Sequence, residues 1–188
     1  MHDEVLRAAD LADVAFVGEL YMHDMRAGHY ARLNAPPEMM FGQVIANGWL
    51  PMSTGPMKVE VVVYMVKGDR AGFAAFKQEP AHRLGERREL WFFSVAPAYR
   101  GGGVGSRFSD AACARLSETS AEISARTLEA STRMAEMLSR RGFVHQGRDI
   151  GGSLDGPVAV DNWLKIYRCR PGLLSRILTA VGRIIGRK

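Results

Sequence analysis

Residues 89–116 read ELWFFSVAPAYRGGGVGSRFSDAACARL, and they constrain the fold more than any other stretch. A mostly apolar run meets Pro97 and Arg100 follows. Glycine then fills four of the five positions 101–105, and a helical pattern begins. The first part predicts a strand buried on both faces, the last a helix over 104–118. A helix N-terminus carries unpaired N–H groups and partial positive charge, which together bind phosphate. Glycines let the backbone approach an anion and adopt positive φ, and Arg100 adds a charged fork. Two common phosphate loops are excluded. The dinucleotide fingerprint G-x-G-x-x-G needs a third glycine where this chain has Ser106 or Phe108, and no G-x-x-x-x-G-K-[S/T] segment exists. The alternative is a turn that only packs strand against helix.

The rest of the chain supplies a sheet around this junction. Residues 4–8 predict a first strand. Asp10 or Asp13 can cap a helix running to about Leu33, with an apolar face of Leu11, Val14, Phe16, Val17, Leu20, Tyr21 and Met25. Pro36-Pro37 and Asn47-Gly48 bracket a second helix. MKVEVVVYMV and GFAAFKQ form strands joined by the turn KGDRAG, and EPAHRLGER is a polar loop. EISARTL is a strand, followed by a helix from about Ala130 to Arg141 with Gly142 at its left-handed cap. FVHQG and AVDNWLKIYRCR complete the sheet around a turn-rich DIGGSLDGP. The order β-α-α-β-β-β-α-β-α-β-β predicts an α/β fold: a mixed, mostly antiparallel central sheet flanked by helices. It occupies residues 1–170 as one domain.

Residues 171–188 differ. Leu174, Ile177, Leu178, Val181, Ile184 and Ile185 recur at helical spacing, with Arg176, Arg183, Arg187 and Lys188 mostly off that stripe. This predicts an extra basic amphipathic C-terminal helix, suited to a membrane surface, a partner, or packing back on the domain or on the twin subunit of a homodimer. It contributes four of the five net positive charges, so the body is nearly neutral and nucleic acid is not its expected ligand. Two cysteines, Cys113 and Cys169, are no disulfide framework and suggest a reducing compartment. The start MHDEVLRAAD lacks the regions of a signal peptide, and no apolar run approaches the ~20 residues that span a bilayer. The expected location is cytoplasmic. His23 and His29, six apart, have no metal-ligand spacing, and no metal is expected.

Arg100-x-x-Gly103-x-Gly105, approached by FSVAPAYR with Val95 and Pro97 in place, resembles the signature of the GNAT superfamily of N-acyltransferases. RRGFV at 140–144 is similar to that family's later G-F element, and the element order resembles the family's along residues 4–169. The resemblance implies acetyl-CoA as acyl donor and a V-shaped split between the strand ending near Val95 and the strand at 122–128. Its pyrophosphate would lie on Arg100, Gly101, Gly102, Gly103, Val104, Gly105 and Ser106. Its pantetheine arm would pair with the backbone of Phe93 and Val95, as on a bare strand edge. The Val95 N–H would serve as oxyanion donor, and Ser131 stands where many members place a cofactor-binding asparagine.

Acetyl transfer to an amine needs a neutral amine, and a lysine-like amine of pKa ~10.4 is under ~0.1% neutral at pH 7. Glu89 is the candidate base: the resemblance implies it, because eleven residues before Arg100 is close to the spacing at which some histone-type members of the family carry a glutamate base. Strand alternation puts it on one face with Trp91, Phe93 and Val95, and burial beside Trp91 would raise its pKa. The alternative is a strand-end glutamate paired with Arg87 or Arg88. The sequence departs from the family at Leu138, where many members carry the tyrosine that protonates the leaving thiolate. The resulting expectation is an N-acetyltransferase that moves acetyl directly from acetyl-CoA to an amine. The acceptor is open between a small metabolite, a peptide or protein amine and an aminoacyl-tRNA. The rival expectation is a non-catalytic acyl-CoA-binding module whose C-terminal helix contacts a partner or membrane.

Overall fold

The computed structural model describes residues 3–52, 55–79, 87–120, 122–153 and 155–167. The expected C-terminal helix at 171–188, residues 80–86 of the expected polar loop at 79–87 and Cys169 lie outside the described residues. Among the described residues, eight strands form one sheet: β1 Glu4–Ala8, β2 Trp49–Leu50, β3 Met57–Val66, β4 Asp69–Gln78, β5 Arg87–Val95, β6 Glu122–Leu128, β7 Val144–Ser153 and β8 Gly156–Ile166. The helices are α1 Val14–Arg26, α2 Pro37–Asn47, α3 Val104–Ser117 and α4 Thr132–Arg140. The strand order is β1-β3-β4-β5-β6-β8-β7, with β2 also on β3. Every pairing is antiparallel except β5 with β6. The expected α/β class and mostly antiparallel sheet are therefore observed. No helix of the described residues is long and apolar enough to cross a membrane.

Strand alternation feeds two cores, one on each face. Val59, Val61, Val63, Phe73 and Ala75 point toward Val17, Tyr21, Phe41 and Val44 of α1 and α2. Val62, Tyr64, Ala74 and Phe76 point toward Phe108, Leu116 and Leu138 of α3 and α4. Cys113 is buried there, the packing role expected of it.

The sequence reading and the structure differ in three places. First, α1 stops at Arg26, not near Leu33: Gly28 adopts φ +80°, and residues 28–36 leave the helix. A short 3-10 turn, Leu11–Asp13, precedes α1 and is capped by Asp10. Second, the turn-rich segment at 149–157 belongs instead to one long β7–β8 hairpin, pairing Arg148 with Asp161 through Ser153 with Gly156. Glycines at 151 and 152 obscured its alternation. Third, the two-residue β2 is too short to leave a periodic signal.

A candidate donor cleft between two parting strands

β5 and β6 pair only from Arg87–Glu122 to Leu90–Ala125. Beyond that point the strands part and no strand covers the edge of β5. The β5 edge facing the opening is set by register. The Ala96 N–H donates to Ala71 O (2.8 Å), so that position bonds toward β4. Two-residue alternation then turns the backbone groups of Phe93 and Val95 away from β4, into the opening. A cavity of about 610 Å³ fills it. Of the residues expected to hold a donor, Phe93, Val95, Arg100, Gly101, Gly105, Ser106 and Ser131 line this cavity. Gly102, Gly103 and Val104 do not; Gly103 is the N-cap of α3 and Val104 is buried beneath the loop.

The loop geometry has a physical reason. Gly101 and Gly103 have φ of +93° and +76°, which L side chains avoid. No side chain caps α3; the Ser106 and Arg107 N–H groups both turn back to Gly103 O at 3.1 Å. Cations surround this end. Arg100 donates from Nε to Val95 O (2.8 Å) and from Nη2 to Asp24 Oδ1 (2.7 Å). Arg141 donates to Ser106 O (2.6 Å) and Oγ (2.8 Å). Arg140 lines the same wall.

The structure brings in groups that sequence reasoning missed. Asp24 is buried and lines the cavity. Its carboxylate accepts from Ser94 Oγ (2.6 Å) and Arg100, and contacts His23 Nδ1 at 2.9 Å. Burial works to raise its pKa, but the bonds from Ser94, His23 and Arg100 outweigh it and hold the carboxyl below its ordinary value. Tyr30 reaches the β5 edge. Its hydroxyl donates to Phe93 O (2.7 Å), accepts from the Phe93 N–H (3.0 Å) and lies 2.9 Å from Ser94 Oγ. Tyr21 fixes it, stacking on the Tyr30 ring at 5.4 Å and donating its own hydroxyl to Ala31 O (2.7 Å). Burial pushes the Tyr30 pKa well above the usual tyrosine value. His29 also lines the cavity, although its spacing from His23 gave no such signal.

Glu89 departs from expectation in face and in charge. Ala75 pairs with Phe92 and Phe76 with Leu90, so Trp91 is an extra residue, a bulge. The bulge breaks alternation. Phe93 and Val95 pack with the α3–α4 core, whereas Trp91 packs with the α1–α2 core. Glu89 is 1% exposed and is not among the cavity-lining residues. Its charged partners are not Arg87 or Arg88 but Lys77 Nζ (2.7 Å) and Arg126, whose Nε and Nη2 reach its two oxygens at 2.9 and 3.2 Å, and the Glu79 carboxyl also contacts it. Burial works to raise its pKa; the charges of Lys77 and Arg126 outweigh burial and lower it. The expected upward shift is therefore reversed. Ser131 Oγ donates to His29 O (3.3 Å), tying α4 to the segment after α1. Leu138 is fully buried in the core.

The β5 edge, the uncapped helix and the cationic loop coincide with the most informative comparison. The acetyltransferase (GNAT) family model matches residues 30–143, more than half of the chain. The chain belongs to the GNAT acetyltransferase family. Solved structures share the fold of this acetyltransferase at low identity. The Salmonella typhimurium protein yncA, solved with its cofactor acetyl-CoA, is 18% identical, with 89% of this chain and 96% of that one covered and a TM-score of 0.63. A ribosomal-protein-alanine N-acetyltransferase from Brucella melitensis is 17% identical, with coverages of 86% and 99% and a TM-score of 0.62. A chain of the NatC complex bound to Gag peptide and CoA is 14% identical, with coverages of 88% and 99% and a TM-score of 0.64. No curated protein matches the sequence.

Proposed function

We propose that this GNAT acetyltransferase moves acetyl from acetyl-CoA directly to an amine, with the donor in the cleft between β5 and β6. The observation that carries the reading is the meeting of an outward-facing strand edge, Phe93 and Val95, with the uncapped N-terminus of α3 and Arg100. An extended amide-bearing arm suits the first, and a pyrophosphate suits the second. In the reaction the amine nitrogen bonds to the acetyl carbon, the C–S bond breaks, and the amine loses a proton. The Val95 N–H is the proposed donor to the carbonyl oxygen as it gains charge. Leu138 cannot protonate the thiolate, so water does, which a thiol of pKa ~8.5 tolerates.

Glu89 is the proposed base. Ionised and held by two cations, it accepts a proton weakly, and Arg126 stands between it and the cavity. A bridging water would have to carry the proton. Glu89→Gln is then expected to lower kcat about a hundredfold while the Kd for acetyl-CoA stays within error. Equal kcat values would remove Glu89 from the chemistry.

The reading as a whole is tested by calorimetric titration of acetyl-CoA into the wild type and Gly103→Glu, followed by an amine screen. Binding that a folded variant loses supports the cradle; no binding to the wild type sinks it. The buried Leu138 favours one second reading, a non-catalytic acyl-CoA-binding module. Tight binding with no thiol release on any amine would select that reading.

A further inference from the structure

Five arginines line the cavity. Arg100 and Arg141 stand at the glycine loop, where phosphates are proposed to sit, and Arg133 and Arg140 stand on α4. Arg126 belongs elsewhere. It is the first residue of β6 after the last β5–β6 pair, at Leu90–Ala125, so it stands where the opening begins. It lines the cavity with Trp91, Tyr30 and His29, and 42% of its side chain remains exposed.

Glu89 fixes this guanidinium without using it up. The two contacts employ Nε and Nη2, and neither involves Nη1. Lys77 shares the same carboxylate at 2.7 Å, while the charges of Glu79 and Asp149 also act on Arg126. A planar fork held from behind by one carboxylate, with donors left over beside a cavity, is suited to a second carboxylate in front. Trp91, whose ring has Lys77 Nζ 5.7 Å from its centre, gives this wall an apolar surface.

We propose that Arg126 binds the carboxylate of the acceptor, which makes the acceptor a free α-amino acid or a close analogue rather than a peptide N-terminus. A peptide N-terminus lacks that group, since its first carboxyl is an amide. Glu89 is then also a positioning residue for Arg126. This inference rests on the acetyl-transfer reading above.

The test compares matched acceptors with the full-length protein. Thiol release is measured with phenylalanine, phenylalaninamide and phenethylamine, and with the corresponding leucine series. The free acids are expected to exceed both partners by about tenfold or more in kcat/KM. Intrinsic reactivity runs the other way against the amides, whose amines are less basic and more often neutral. Arg126→Gln should erase the preference chiefly through KM, and Arg126→Lys should restore part of it. A second arm reads binding alone: N-acetyl-phenylalanine and its methyl ester are titrated into the CoA-loaded protein, with and without Arg126→Gln. Amides or amines turned over as well as acids would overturn the proposal while leaving acetyl transfer intact. So would a preference that survives Arg126→Gln. No turnover, but acid-selective binding lost in Arg126→Gln, would keep the carboxylate site and overturn the reaction. Equal binding of acid and ester with no turnover would overturn both.

Discussion

At the scale of single residues, Tyr30 makes the sharpest prediction. Its hydroxyl satisfies both backbone groups of Phe93, the groups proposed to receive the pantetheine arm. A donor pairing there must displace it. Tyr30→Phe is therefore expected to tighten acetyl-CoA binding several-fold, read as Kd by calorimetry, with ring packing on Tyr21 retained. Weaker binding would mean that the hydroxyl helps hold the donor instead. Neither the role nor the contact was legible in the sequence: the bond joins residues 63 apart. By contrast the turn at Gly101 and Gly103 was legible, because a positive φ leaves its mark as glycine within a few adjacent residues.

At the scale of elements, the entrance to α1 depends on one buried carboxylate. Asp13 is fully buried and accepts from Arg7 (2.6 and 2.9 Å), Arg70 (2.6 Å) and the Asp10 N–H (2.9 Å). Burial works to raise its pKa, and these bonds drive it well below the ordinary aspartate value. A folded pKa below the unfolded one adds stability that is complete above the unfolded value and lost as pH falls through the folded one. Asp13→Asn should lower stability by about 3 kcal/mol at neutral pH, with the difference from wild type shrinking below about pH 4. Urea melts at several pH values would show it; a pH-independent difference would contradict the linkage. A second element-scale prediction concerns Asp24, which joins α1 to β5 and to the glycine loop through Ser94 and Arg100. Asp24→Asn should weaken acetyl-CoA binding by about tenfold, because Arg100 loses the anchor that aims it. An unchanged Kd would show that Arg100 is set by Val95 O alone.

For the whole molecule, a ligand that bridges β5, α3 and α4 should stabilise all of them together. Acetyl-CoA at a hundred times its Kd is expected to add about 2.7 kcal/mol and to raise Tm by roughly 5–10 °C. A Tm that does not move would argue against the cleft as the donor site. The strand and helix sequence was written locally: period-two and period-3.6 patterns, Pro37 at the start of α2, Gly48 and Gly142 at helix ends. These follow from backbone sterics and from which side chains avoid water, and both act over a few residues. The resemblance to the acetyltransferase family was carried by the glycine motif together with its approach FSVAPAYR, the later RRGFV and the element order. What only the tertiary structure decided was how far β5 and β6 stay paired and what fills the gap. The Trp91 bulge turned Glu89 away from the face of Phe93 and Val95, and Lys77 and Arg126 reversed the sign of its pKa shift. A bulge depends on the neighbouring strand's register, and a carboxylate's charge state on cations from other strands. Neither is encoded near Glu89 in the chain, so both exist only once the sheet has formed.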